Sequence, residues 1–149
     1  MELVVINPFF VQGPSFCAVD GTSESWMTSW IDGSRKTITK TWTQIVDVRD
    51  VAVAHLKAVQ VPEAAGKRFI LSGGECWHRE ICDALKARYP NLKVPSEEEA
   101  EETPDFGNQG RGVDNTRSKD ILGIQYHSLA DTVCDAAVSL VKRGAVKLE

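Results

Sequence analysis

A chain of 149 residues, 42% hydrophobic and 26% charged with a formal charge of -4, has the composition of one globular domain with its own core. The negative balance argues against a nucleic-acid surface, no apolar run approaches the length of a membrane span, and the N-terminus lacks a basic stretch followed by an apolar one. Cys17, Cys76, Cys82 and Cys134 form no C-x-x-C pair and have no histidine at zinc-ligand spacing, so free buried thiols in a reducing cytoplasm and no metal site are expected.

In chain order the first element is a strand. Leu3-Val4-Val5-Ile6 is a short β-branched run bounded by Asn7-Pro8 and Gly13-Pro14, the pattern of a strand buried on both faces of a parallel sheet. Such a strand needs neighbours. Residues 15–22 read as loop. Ser23 is placed to cap a short helix carrying Trp26, Met27 and Trp30, with Gly33 as its stop. Residues 34–42 are a loop or an edge strand, and Thr43-Gln44-Ile45-Val46 reads as a second strand.

Asp47 stands as an N-cap, with Asp50 three positions on in the manner of a capping box. The helix that follows repeats Val48, Val51, Ala52, His55, Leu56 and Val59 on one face, and Pro62 and Gly66 close it. His55 on that face is expected in the core. Arg49 is expected to pair with a nearby carboxylate such as Asp50.

Arg68-Phe69-Ile70-Leu71-Ser72 is a third strand, ended by Gly73-Gly74. Trp77, Ile81, Leu85 and Tyr89 step by four along another helix, which Pro90 stops; His78 and His127, beside helix starts, are expected at the surface. Residues 96–112 combine Glu97, Glu98, Glu99, Glu101, Glu102 and Asp105 with Gly107, Gly110 and Gly112, the composition of a flexible solvated loop. Val113-Asp114-Asn115 is placed to cap a short helix ended by Gly123. Ser128, with Asp131 three positions on, opens a last helix lined by Leu129, Val133, Ala136, Ala137, Leu140 and Val141. Strands alternating with helices make this an α/β protein, a single segment over residues 1–149.

Four blocks, VVINPFFVQGP, IVDVRDVAVAHLKAV, GKRFILSG and VDNTRSKDILGIQYHSLADTV, lie in an order that resembles the C-terminal part of an extended short-chain dehydrogenase/reductase. The likeness is to the group of dihydroflavonol, cinnamoyl-CoA and methylglyoxal (aldehyde) reductases. It implies the C-terminal portion of an NAD(P)-binding Rossmann-like fold, without the N-terminal βαβ half that holds the cofactor's pyrophosphate on a glycine-rich turn. It also implies NADP as the cofactor, a small carbonyl compound as substrate, and Pro8, Phe9 and Val11 in the loop that meets the nicotinamide end. Trp26, Met27 and Trp30 fall in the region that lines the substrate pocket in that family, and a core or lid helix is the alternative.

The family's catalytic pair is a tyrosine and a lysine four positions apart on one helix. The chain's only such string, Tyr89 and Lys93, has Pro90 between them, which breaks the helix and separates the two side chains. No catalytic residue is therefore assigned. The segment is expected to be inactive alone and to bind NADP poorly, with a missing N-terminal half or self-association completing its first strand. A non-catalytic binding or assembly module, and one half of a split reductase, are the alternatives.

Overall fold

A computed structural model describes residues 2–16, 21–98 and 112–146. Cys17, and residues 99–111 of the expected acidic and glycine-rich loop, lie outside the described residues.

The first apolar run forms one extended segment that changes neighbour midway. β1 (Val5–Pro8) pairs in parallel with β5 (Arg68–Leu71), Val5 opposite Arg68 and Pro8 opposite Leu71. β2 (Phe10–Gln12) pairs in parallel with β4 (Trp42–Asp47), Phe10 opposite Ile45 and Gln12 opposite Asp47. The segment thus continues past Asn7-Pro8, where the sequence placed its end. The N–H groups of Val5 and Phe9 point at β5, donating to Lys67 O at 2.9 Å and Leu71 O at 3.0 Å. Strand N–H groups alternate sides, so the N–H that Pro8 lacks belongs to the opposite edge and no ladder bond is lost.

β4 also pairs, antiparallel, with β6 (Gly74–Trp77), giving a three-stranded sheet in the order β2-β4-β6. Sequence reading missed β6 because Gly73-Gly74 signals a break and the four residues do not alternate in polarity. A third pair joins β3 (Thr37–Ile38) to β7 (Glu97–Glu98), the latter held by Arg79, whose Nη1 donates to Ser96 O at 3.1 Å and lies 3.8 Å from Glu98.

The helices are α1 (Thr22–Ile31), α2 (Val48–Gln60), α3 (His78–Arg88), α4 (Thr116–Asp120) and α5 (Leu129–Lys142). Gly21, not Ser23, is the N-cap of α1, and the Glu24 carboxylate accepts from its N–H. α5 packs against α1 and α3 over one core that includes Met27, Trp30, Ile81, Leu85, Val133 and Leu140. A second core, including Ala54, Phe69, Leu71, Leu122 and Ile124, sits under α2 and α4. Adjacent residues of β4 divide between them: Ile45 joins the first and Val46 the second.

Expectations about burial fail for β1, for α2 and for His78. β1 is not buried on both faces: Val5 and Ile6 are half-buried, Asn7 and Pro8 exposed, and Ile70 beside them is 39% exposed. Phe69 and Leu71 cover one face of the β1–β5 pair, and the other face is open. α2 is turned about its axis from the orientation its apolar period predicts. It buries Asp50 and Ala54, the small side chain of Ala54 allowing close approach, and leaves Ala52, His55, Leu56 (57% exposed) and Val59 (88% exposed) outward. His55 is therefore a surface residue, its Nδ1 against Val51 O of its own helix at 2.8 Å.

His78 departs from expectation in the opposite sense. It is buried, its ring meeting Trp30 at 4.9 Å and Trp26 at 5.8 Å between centroids, both edge-on. His127 is half-buried against Asp50.

Candidate cofactor-facing site

Of the residues that the sequence nominates, Val11 and Met27 come together near the C-terminal end of β2. Gly13, which closes β2, has φ +120, and a Cβ there would stand 3.0 Å from Asp47 Oδ1 and 3.1 Å from Val48 Cγ1. Only glycine brings the loop this close to the start of α2. Just before it, Gln12 is buried and donates through Nε2 to Ser23 O at 3.1 Å, tying β2 to α1. Between these elements is an open cavity of about 240 Å³, lined by Val11, Gly13, Met27, Val48 and Leu140 among others.

The start of α2 forms the charged margin. Asp47 is its N-cap, as the sequence predicts, and accepts from Arg49 N at 2.8 Å, Arg49 Nε at 2.9 Å and Arg49 Nη2 at 2.7 Å. Arg49 also donates through Nη1 to Asp135 of α5 at 2.8 Å. Burial works to raise the Asp47 carboxyl, but hydrogen bonds from the Arg49 side chain and backbone and from Thr132 outweigh it and hold it below the ordinary range. The same Asp47 bonds push the Arg49 guanidinium further up, so it stays charged. Arg49 thus pairs with carboxylates as expected, though with Asp47 and Asp135. Asp50 turns away to His127, so the expected capping box does not form.

Of the three residues nominated to face a cofactor, Pro8 and Phe9 are exposed at the point where the segment passes from β5 to β4, and Val11 is half-buried in the cavity wall. Of the three nominated for a substrate pocket, Met27 is buried and lines the same cavity. Trp26 is half-buried, edge-on to Phe10 at 5.1 Å. Trp30 is 0% exposed and packs in the first core under the Arg35 guanidinium, 4.0 Å from the ring centroid. The helix therefore brings Met27 to the cavity and sends Trp30 inward.

Among the described residues no Tyr–Lys pair shares a helix. α3 ends at Arg88, Tyr89 is its C-cap, and Lys93 lies beyond Pro90 in a bridge with Asp32. Burial pushes the thiols of Cys76 and Cys82 up to about 12 and about 11, which keeps both protonated near neutral pH. Among the described residues no group of three or more His, Cys, Asp and Glu side chains is placed to hold a metal ion, and no helix is long and apolar enough to cross a membrane. Sequence reading missed Gln12 and the Glu24–Ser15 hydrogen bond. A glutamine between an apolar run and Gly-Pro was the one signal available.

A comparison with known proteins places this arrangement. No family model matches the chain. It is 32% identical over 155 residues to ketoreductase azaE of Aspergillus niger, covering 95% of this chain and 44% of that protein. It is 30% identical to cinnamoyl-CoA reductase 1 of Arabidopsis thaliana, covering 97% and 41%. Among solved structures it superposes on yeast methylglyoxal/isovaleraldehyde reductase Gre2 complexed with NADPH, with a TM-score of 0.77, 31% identity, and coverage of 95% of this chain and 43% of the other. The chain belongs to the extended short-chain dehydrogenase/reductase family, and it corresponds to the C-terminal part of those proteins. It spans about two fifths of the length of the relatives it matches.

Proposed function

We propose that this chain is the substrate-side part of an NADP(H)-dependent aldehyde or ketone reductase, with Pro8, Phe9 and Val11 against the nicotinamide end of the cofactor and Trp26 and Met27 toward the carbonyl substrate. The observation that supports this reading is the exposed Pro8–Phe9 step, where the strand leaves one neighbour for another just before Val11, which with Met27 lines a cavity. Open α/β sheets take ligands in crevices at the carboxyl ends of their strands, and this cavity lies at the carboxyl end of β2.

The local chemistry fits a carboxamide. Proline has no N–H, so a strand lying alongside gains nothing at Pro8, and the Pro8 carbonyl is left to accept from an amide N–H. Phe9 and Val11 offer apolar surface beside it, suited to one side of a flat ring. When bound, the nicotinamide supplies hydride to a carbonyl carbon; this chain's share is to hold the ring's edge, shape the pocket and exclude water. The described residues include no glycine-rich turn that opens a helix and no helical Tyr–Lys pair, so proton transfer and pyrophosphate binding fall to groups outside them.

The test is a chimera in which this chain replaces the matching part of the yeast methylglyoxal reductase, assayed for NADPH oxidation with methylglyoxal and with a panel of aldehydes and ketones. Turnover with at least one carbonyl compound is expected, and Val11→Glu should weaken NADPH binding at least tenfold. A folded chimera that binds NADPH and reduces none of the panel would overturn the reading. Titration of NADPH into the 149-residue chain alone should show no saturable binding.

A further inference from the structure

The cavity at the end of β2 has an apolar wall, to which Val11, Met27 and Leu140 contribute, and a polar one. Gln12, Ser15, Ser23 and Glu24 belong to the polar wall and are tied to one another. Gln12 donates through Nε2 to Ser23 O at 3.1 Å, and the Ser15 hydroxyl donates to Glu24. Among the described residues that line the cavity, only Glu24 carries a charge. The Ser15 bond first, and then one from the Gly21 N–H, hold its carboxyl below the usual range against the opposing effect of burial. It is therefore an anion at neutral pH. Arg143, at the end of α5, attracts it more weakly and does not line the cavity.

The carboxylate is seated. Ser15 is itself fixed to α5, its N–H donating to Ser139 Oγ at 3.0 Å. Gly21 makes room on the other side. Its φ of -83 and ψ of 173 suit any residue, so the backbone does not require glycine there. A Cβ at that position would stand 2.9 Å from Glu24 Oε2, and its absence leaves the space to the carboxylate. Each carboxylate oxygen has two lone pairs, and each accepts one bond here, Oε1 from Ser15 and Oε2 from Gly21. Acceptor capacity remains for a donor that enters the cavity.

We propose that Glu24 sets the substrate class: the cavity takes carbonyl compounds that carry a hydroxyl or ammonium group and turns away keto acids. This rests on the functional reading above and names the substrate of the same site. A donor that reaches Glu24 forms a charge-assisted hydrogen bond, which is stronger in a half-buried site than in water. A substrate carboxylate would instead set two anions together with little water between them. A wholly apolar carbonyl compound fits the wall of Val11, Met27 and Leu140, but it strips water from Glu24 and returns no hydrogen bond.

The experiment measures kcat/KM of the chimera for 2-butanone, hydroxyacetone and pyruvate, short ketones that differ at one end, in the parent and in Glu24→Gln. Comparing ratios between the two proteins cancels the intrinsic reactivity of each ketone. In the variant the preference for hydroxyacetone over 2-butanone should fall about fivefold or more, and that for 2-butanone over pyruvate about tenfold. Gly21→Ala, whose Cβ displaces the carboxylate, should move both ratios the same way, and it decides the matter if Glu24→Gln does not fold. A role for Glu24 confined to capping α1 would lower Tm and leave the ratios in place. Unchanged ratios in an active chimera would overturn the proposal and keep the functional reading. If the chimera reduces no carbonyl compound, binding to the 149-residue chain decides. There 1-amino-2-propanol, and not lactate, should shift the Met27 methyl resonance saturably at millimolar concentration, and Glu24→Gln should abolish the shift. That result would retain the site without the functional reading; no shift, or an equal shift with lactate, would overturn the proposal.

Discussion

Asp50 in the first turn of α2 holds His127 at two points, accepting from the backbone N–H at 3.0 Å and meeting the ring Nδ1 at 2.6 Å, across 77 positions of sequence. The carboxylate is almost fully buried, while the imidazole it meets is about one third exposed. It fixes the residue before Ser128, whose hydroxyl caps α5, so one side chain sets the spacing between two helices.

Asp50→Ala should therefore cost about 1–3 kcal/mol, since it strands a backbone donor near the start of α5. Urea denaturation reads this directly. His127→Ala should cost less, because the backbone bond survives; equal losses would place the whole effect in the ring contact.

Asp47 predicts a pH effect of defined sign. Its carboxyl is lowered in the fold from the ordinary value of 3.8. Its contribution is complete above that value and fades as pH falls through the lowered one. Asp47→Asn keeps a good N-cap residue but loses the ion pair with Arg49. The variant should be less stable than the parent at pH 6, with the difference shrinking below pH 3.8, as measured by Tm across an acid series.

Gly13→Ala should lower stability by about 1–3 kcal/mol, combining a left-handed φ with a Cβ pressed on Asp47. A Tm within about 1 °C of the parent would show that the loop relaxes freely. Gly112→Ala, where a Cβ meets nothing within 4 Å, is the control.

The thiols of Cys76, Cys82 and Cys134 are all buried, and burial raises each of them. In a Cys17→Ser background none should react with Ellman's reagent at pH 8 in the native protein, and all three should react in guanidinium. One fast native thiol would show that part of the first core opens readily.

What sequence made legible follows from how local each signal is. Asp47 and Ser128 announced their caps because a cap is a relation among four residues. The period of α5 named its buried face because that helix has neighbours on the side its apolar residues choose. α2 has an equally regular period and the opposite outcome: a period tells which residues share a face, and only the surroundings decide whether that face turns in. His78 was misplaced because its burial comes from Trp26 and Trp30, some fifty residues earlier. The family motif, a long-range pattern, identified the fold; it could not show that the strand runs on past Pro8, or that α1 directs Met27 to the cavity and Trp30 inward.

β4 is a party wall. Ile45 and Val46, neighbours in the chain, face different rooms, and the strand's two edges are held by β2 on one side and β6 on the other. A slip of one residue would send each side chain into the wrong interior. The shared strand couples the two cores, so the described parts of the molecule should lose structure in a single cooperative step, with the amides of β4 among the last to exchange.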